Sequence, residues 1–173
     1  PTPADLEKAI RNIPDFPKPG IQFKDITPVL ADARLFSGSI DLLTERFRPG
    51  DVDAVVGIDA RGFIFAAAAA VKLQAGLVPV RKQGKLPYRT HEQQYNLEYG
   101  TATVAVHVDA LKPGSRVLLI DDLLATGGTA AAAAALVRRL EARILEISFL
   151  IELQFLGGRQ KLQDYPVRSL IVY

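Results

Sequence analysis

Asp121 and Asp122 stand side by side after four aliphatic residues, Val117 to Ile120, in the stretch VLLIDDLLATGGTA. A loop of small residues follows, Ala125-Thr126-Gly127-Gly128-Thr129, and then an unbroken run of alanine. Glycines let successive backbone N–H groups converge on one point, and a helix starting there adds partial positive charge, so the loop suits a phosphate. Thr126 and Thr129 add hydroxyl donors. Two carboxylates would repel that phosphate and need donors of their own, which the vicinal hydroxyls of a sugar supply. Acids facing a diol beside an amide nest describe a ribose 5-phosphate site. A helix cap with solvated acids would account for one Asp and one Thr, but not for the whole run. Neither G-x-x-x-x-G-K-[ST] nor a G-x-G-x-x-G after the first strand of a βαβ unit is present.

The elements that must position these groups follow from periodicity. Thr2, Pro3 and Asp5 open a helix, and NIPDFPKPG (12–20), with three prolines, predicts an extended arm. Asp32 caps a helix carrying Leu35, Phe36, Ile40, Leu43 and Phe47, expected to end at Pro49-Gly50. Beyond it VDAVVGI, GLVPV, TATVAVHVD, RVLLID, the segment 144–150 and VRSLIVY read as strands. Alanine-rich helices over residues 62–74 and 129–140 separate them. Apolar strands alternating with helices predict an α/β fold: a Rossmann-like parallel sheet with helices on both faces. Ligands in such sheets bind beyond the carboxyl ends of the strands, where Asp121 and Asp122 are expected. Residues 81–100, basic, polar and aromatic, lack a clear period.

Composition bounds the rest. The chain has 173 residues, 49% of them apolar and 23% charged, which suits one globular domain over residues 1–173. A net charge of +2 gives no electrostatic case for nucleic acid or a membrane surface. Without cysteine there is neither disulfide nor thiolate metal site, and a reducing compartment is expected. No apolar stretch reaches the ~20 residues of a membrane helix, and PTPADLEKAI does not resemble a signal peptide. The expectation is a soluble, cytoplasmic protein.

VLLIDDLLATGGTA resembles the phosphoribosyl-pyrophosphate signature of type I phosphoribosyltransferases, in the wording of their adenine-specific branch. Four further stretches occur in that family's order. DFPKPGIQFKDITPVL resembles its N-terminal arm (1–30), GIDARGFIF its pyrophosphate loop, VPVRKQGKLP with YNLEYGT its mobile hood (81–100), and FLIELQFLGGR its purine-pocket strand. The resemblance implies transfer of phosphoribosyl from 5-phosphoribosyl 1-diphosphate (PRPP) to adenine, giving AMP and pyrophosphate. Ala125, Thr126, Gly127, Gly128 and Thr129 would then bind the 5-phosphate, and Asp121 and Asp122 the ribose. Arg61, with Arg81, Lys82 and Lys85, would grip the departing pyrophosphate, as guanidinium geometry favours. The peptide before Arg61's loop, Asp59–Ala60, would be cis, as in many relatives. Main-chain groups around Gln22, Phe23 and Lys24 would read adenine, with Phe23 stacking and Leu153 packing against it. Glu98 resembles the carboxylate that exchanges a proton with the purine, and Tyr99 would help close the hood. Magnesium would be carried in by the donor, with no metal site of the protein's own, and a homodimer is the family habit. The nearest alternatives are an enzyme for another purine base and a regulator that senses PRPP. Two positions depart from the pattern, Tyr88 and Ala66, where relatives usually have glycine. His91 and His107 match no functional position.

Overall fold

The computed structural model describes residues 1–97 and 99–173. Helix α1 (Pro3–Ala9) is opened by a reciprocal cap in which Thr2 and Asp5 each bond the other's backbone N–H, as the Thr-Pro-x-Asp order predicts. The proline-rich arm is not a lone extended segment. Its flanks, β1 (Arg11–Pro14) and β2 (Gln22–Asp25), pair antiparallel into a two-stranded ribbon, with Ile13 opposite Phe23. A short helix α2 (Thr27–Ala31) follows, then α3 (Ala33–Thr44), where the Asp32 carboxylate accepts from the Leu35 N–H. Helix α3 ends at Thr44, earlier than the Pro49-Gly50 boundary expected.

Strand β3 (Ala54–Ile58), α4 (Gly62–Leu73), β4 (Gly76–Lys82), β5 (Thr90–Asn96), β6 (Thr101–His107), β7 (Arg116–Leu124), α5 (Gly128–Arg139), β8 (Arg143–Glu152) and β9 (Val167–Val172) complete the chain. Two 3-10 turns, Gln154–Leu156 and Gly158–Leu162, lie between β8 and β9. The seven-stranded sheet has the order β5-β6-β4-β3-β7-β8-β9. Its β4-β3-β7-β8-β9 part is parallel, as predicted. The edge is antiparallel: β5, from the polar stretch, pairs with β6, and β6 pairs with β4.

Alternation along β7 assigns its residues to two cores. Val117 and Leu119 pack with α5, while Leu118 and Ile120 pack with α1, α3 and α4. The alanine runs permit close helix–sheet approach: a Cβ built on Gly57 of β3 would stand 2.6 Å from the Ala66 Cβ of α4. That contact gives Ala66 a packing role. Strand β7 runs three residues past Asp121, so both acids lie within the strand and not beyond it.

Candidate active site

The two acids, adjacent in an extended strand, diverge. Asp121 lines a cavity of about 80 Å³ together with residues 123–130, the whole glycine-rich loop. Asp122 lines a second cavity, of about 110 Å³, between β7 and the N-terminal ribbon. The two sites share one strand end, and opposite orientation of neighbouring strand residues divides the acids between them. Asp121 Oδ1 accepts from the Asp122 N–H at 2.8 Å. A Cβ at Gly62 would stand 2.6 Å from that same oxygen, so only glycine lets α4 start so close to the carboxyl. Burial holds the Asp121 carboxyl well above its ordinary range, the Asp122 charge adds to the effect, and Arg61 offsets part of it.

The glycine-rich loop ends in α5 as expected. Gly127 has φ +87°, a conformation that favours glycine, and it is the N-cap of a twelve-residue helix whose first residue, Gly128, is buried. The open end of α5 therefore points its free N–H groups into the cavity that Ala125, Thr126, Gly127, Gly128 and Thr129 line.

The second cavity brings together all four residues expected to meet the base, Gln22, Phe23, Lys24 and Leu153, and Arg61 and Asp122 line it as well. Lys24 donates to Asn12 Oδ1 at 3.0 Å, and Asn12 donates to Gln22 Oε1 at 2.7 Å. The Lys24 ammonium also lies 4.1 Å from the centre of the Tyr173 ring. These side chains are paired with one another along one edge of the cavity. Phe23 packs edge-on against Phe16, with ring centres 5.1 Å apart.

Arg61 lies beyond a cis Asp59–Ala60 peptide, as expected. Its Nε meets Asp122 Oδ2 at 3.0 Å, and its guanidinium lies 5.3 Å from the Phe23 ring centre. Arg81 reaches the same loop from β4, with Nε 3.4 Å from Asp59 Oδ2. Lys82 and Lys85 are exposed and line neither cavity, and Tyr99, 86% exposed, lies outside both. Glu98, the expected proton-exchanging group, lies outside the described residues.

The phosphoribosyl transferase domain model matches residues 26–170. An adenine phosphoribosyltransferase of Acidothermus cellulolyticus is 58% identical over 98% of each chain, and one of Chloroflexus aurantiacus is 55% identical over 99% of each. The chain belongs to the adenine phosphoribosyltransferase family. Among solved members, that of Rhodothermus marinus superposes with a TM-score of 0.94 at 50% identity, covering 99% of this chain and 98% of the other. The Saccharomyces cerevisiae member, solved with D-2,5-dideoxy-2,5-imino-altritol 1,6-bisphosphate and adenine, gives 0.92 at 42% identity over 97% of each.

Three side chains with no role legible in the sequence make defined contacts in this phosphoribosyltransferase. Tyr95 of β5 packs over the glycine-rich loop, its Cδ2 only 3.1 Å from where a Gly128 Cβ would be. The alternation of the Thr90–Asn96 strand could have marked it, had the polar residues around it not masked the period. Asn12 carries no signal of its own in the sequence, because its side chain serves to link Lys24 with Gln22. His107, matched to nothing, accepts at Nε2 from the Tyr88 N–H at 3.3 Å and packs edge-on against the Tyr88 ring, which gives the Tyr88 departure a partner.

Proposed function

We propose that this chain transfers the phosphoribosyl group of PRPP to adenine, giving AMP and pyrophosphate in purine salvage, with the two cavities holding the two reactants. The observation that carries the proposal is the convergence at the end of β7. One flank is an amide-rich loop with Asp121, and the other an apolar slot with Phe23, Leu153 and Asp122. A nucleoside monophosphate has that same order of parts, with phosphate, ribose and base in line.

In this reading residues 125–129 hold the 5-phosphate, and Asp121 and Asp122 accept from the ribose hydroxyls. Breaking the anomeric bond builds oxocarbenium character on the sugar, so the protein must align the base, neutralise the leaving group and exclude water. Arg61 is the first cation for the departing pyrophosphate, and to reach it must exchange its Asp122 partner. Arg81, Lys82 and Lys85 supply further charge, and the residues at 98 and 99 complete the hood, Glu98 as the proton partner of the purine and Tyr99 as its cover. Phe23 stacks on adenine, Leu153 packs its other side, and the backbone of residues 22–24 reads its edge.

Among the described residues no group of three or more His, Cys, Asp or Glu side chains is placed to hold a metal ion by itself. The two hard carboxylates fit magnesium that arrives on the diphosphate and keeps its waters, with Asp121 and Asp122 on its sugar side. When bound, that ion would neutralise charge on the leaving group. We read the working protein as a homodimer in the cytoplasm, supported by the family habit and by the exposed apolar residues Ile64, Val71 and Leu77. No described helix is long and apolar enough to cross a membrane.

The test is pyrophosphate release from PRPP with adenine, hypoxanthine, guanine and xanthine in turn. Adenine should exceed the others in kcat/KM by more than about a hundredfold, since a base lacking the right donors leaves buried polar groups unpaired. Donor binding without release with any base would identify a sensor, and preference for another base would move the chain to a sister activity.

A further inference from the structure

We infer that Arg159 is a positioning residue for the donor site, acting through the glycine turn beside it. The inference rests on reading residues 125–129 as the 5-phosphate loop. The rear of that loop is packed backbone against backbone, with the Leu124 side chain beside it. A Cβ on Gly127 would stand 2.5 Å from the Gly158 carbonyl oxygen, and a Cβ on Gly158 would stand 2.5 Å from the Ala125 carbonyl oxygen and 2.8 Å from Leu124 Cδ1. Two glycine-containing turns thus lie back to back with no room for a methyl group on either. The direction of the Ala125–Gly127 peptides is therefore set by the place of Gly158.

Gly158 is held in turn by its neighbour. Arg159 Nε donates to both oxygens of Glu152, at 2.9 and 3.0 Å, and its Nη1 donates to the Val167 carbonyl at 3.2 Å. Glu152 is 2% exposed at the last position of β8, and Val167 opens β9. One guanidinium spans the end of one strand and the start of the next, fixing both ends of the connection that carries Gly157 and Gly158. Gly157, at φ +67°, makes the turn that points Gly158 at the loop. A buried carboxylate deprived of its cation is strongly destabilising locally, so the turn cannot drift while the pair is intact. The consequence is preorganisation: the N–H groups that receive the phosphate are ordered during folding and not at the expense of binding.

The same connection starts at Leu153, whose N–H donates to the Leu124 carbonyl at 2.9 Å. That bond belongs to the sheet edge and does not involve Arg159, so the base slot keeps its wall when the clamp is removed. The inference therefore separates the two substrates, which general loosening would not.

The experiment compares Arg159→Ala, Gly158→Ala and Arg46→Ala with the unaltered enzyme. Arg46 pairs at 2.9 Å with Glu146, another buried carboxylate of β8 but remote from the loop, and so reports loss of a buried pair alone. Arg159→Ala and Gly158→Ala should each raise KM for PRPP by about tenfold or more, as small displacements of positioning groups do. The Kd for ribose 5-phosphate should weaken in parallel, with KM for adenine little changed. Arg46→Ala should lower Tm without moving either constant. Arg159→Lys, which keeps charge but not the fork, should recover part of the donor affinity. Should Arg159→Ala fail to fold, Gly158→Ala carries the test from the opposite side of the contact. Equal rises in both KM values, or a Gly158→Ala protein with normal donor affinity, overturns the inference. An unaltered enzyme that fails to bind ribose 5-phosphate overturns the loop reading and this one with it. Normal ribose 5-phosphate binding by Arg159→Ala overturns the clamp alone.

Discussion

Asp121 shows what burying a carboxyl beside a second acid costs the fold. Its carboxyl is held well above the ordinary value of 3.8, chiefly by burial and then by the Asp122 charge. From about pH 4 upward the unfolded chain has given up this proton while the folded chain retains it. Stability on this account is fully present below the unfolded pKa and declines as pH rises toward the folded one. Asp121→Asn removes the ionisation and keeps an oxygen to accept from the Asp122 N–H. The variant should be more stable than the parent at neutral pH, with the gap in Tm widening from about pH 4 and levelling once the native group ionises. Its use of PRPP should fall by more than about tenfold, since one of the two oxygens that could accept from a sugar hydroxyl becomes an amide nitrogen that only donates. Thermal scans from about pH 4 to about pH 8 check the first part. A gap independent of pH would show that the carboxyl is not held protonated by its surroundings.

At the scale of elements, legibility followed the density of local signal. The β7–loop–α5 unit could be read because an aliphatic run, two acids and a glycine loop are contiguous in sequence. The cavity lined by Phe23 and Leu153 could be anticipated only through resemblance, since those two residues are far apart in sequence and meet only after folding. Strand β5 hid in a polar stretch because neither face of it is apolar, and its pairing with β6 supplies what side-chain pattern did not. Its contact with α5 makes a prediction of its own. Ala at position 128 should gain up to about 1 kcal/mol over Gly from helix propensity. The added methyl, however, would meet Tyr95 at 3.1 Å and the Asn96 carbonyl at 3.5 Å. Gly128→Ala should therefore show little or no gain alone, and the gain should emerge once Tyr95→Ala removes the ring. Urea unfolding of the four proteins of that cycle should give a coupling of about 0.5–1 kcal/mol. Strict additivity would mean that β5 does not rest on the glycine-rich loop.

Across the whole molecule, the ends of the strands divide their work. The carboxyl ends of β3, β7 and β8 lead into the two cavities, where two adjacent acids are crowded and Arg61 pairs with Asp122. The opposite ends are tied by one cluster. Asp53, just before β3, accepts at Oδ2 from the Arg116 N–H at 2.7 Å and from Nε at 3.0 Å, and at Oδ1 from Nη2 at 2.9 Å. Its own N–H donates to the Arg116 carbonyl at 2.8 Å, and its carbonyl accepts from Gly76 at 3.0 Å. Three neighbouring strands, β4, β3 and β7, are thus pinned at their starts. The Arg116 side-chain and backbone donors hold the Asp53 carboxyl at about 2, below its ordinary 3.8. A depressed carboxyl contributes stability that is present above 3.8 and is lost as pH falls through about 2. Asp53→Asn should therefore lower Tm at neutral pH, and the difference from the parent should close as pH falls through that window. Both KM values should stay as they are, because the cluster lies at the far ends of the strands that carry the site. An Asp53→Asn protein whose deficit persisted below pH 2, or whose donor KM rose, would show that the two ends of the sheet are coupled rather than separately specialised.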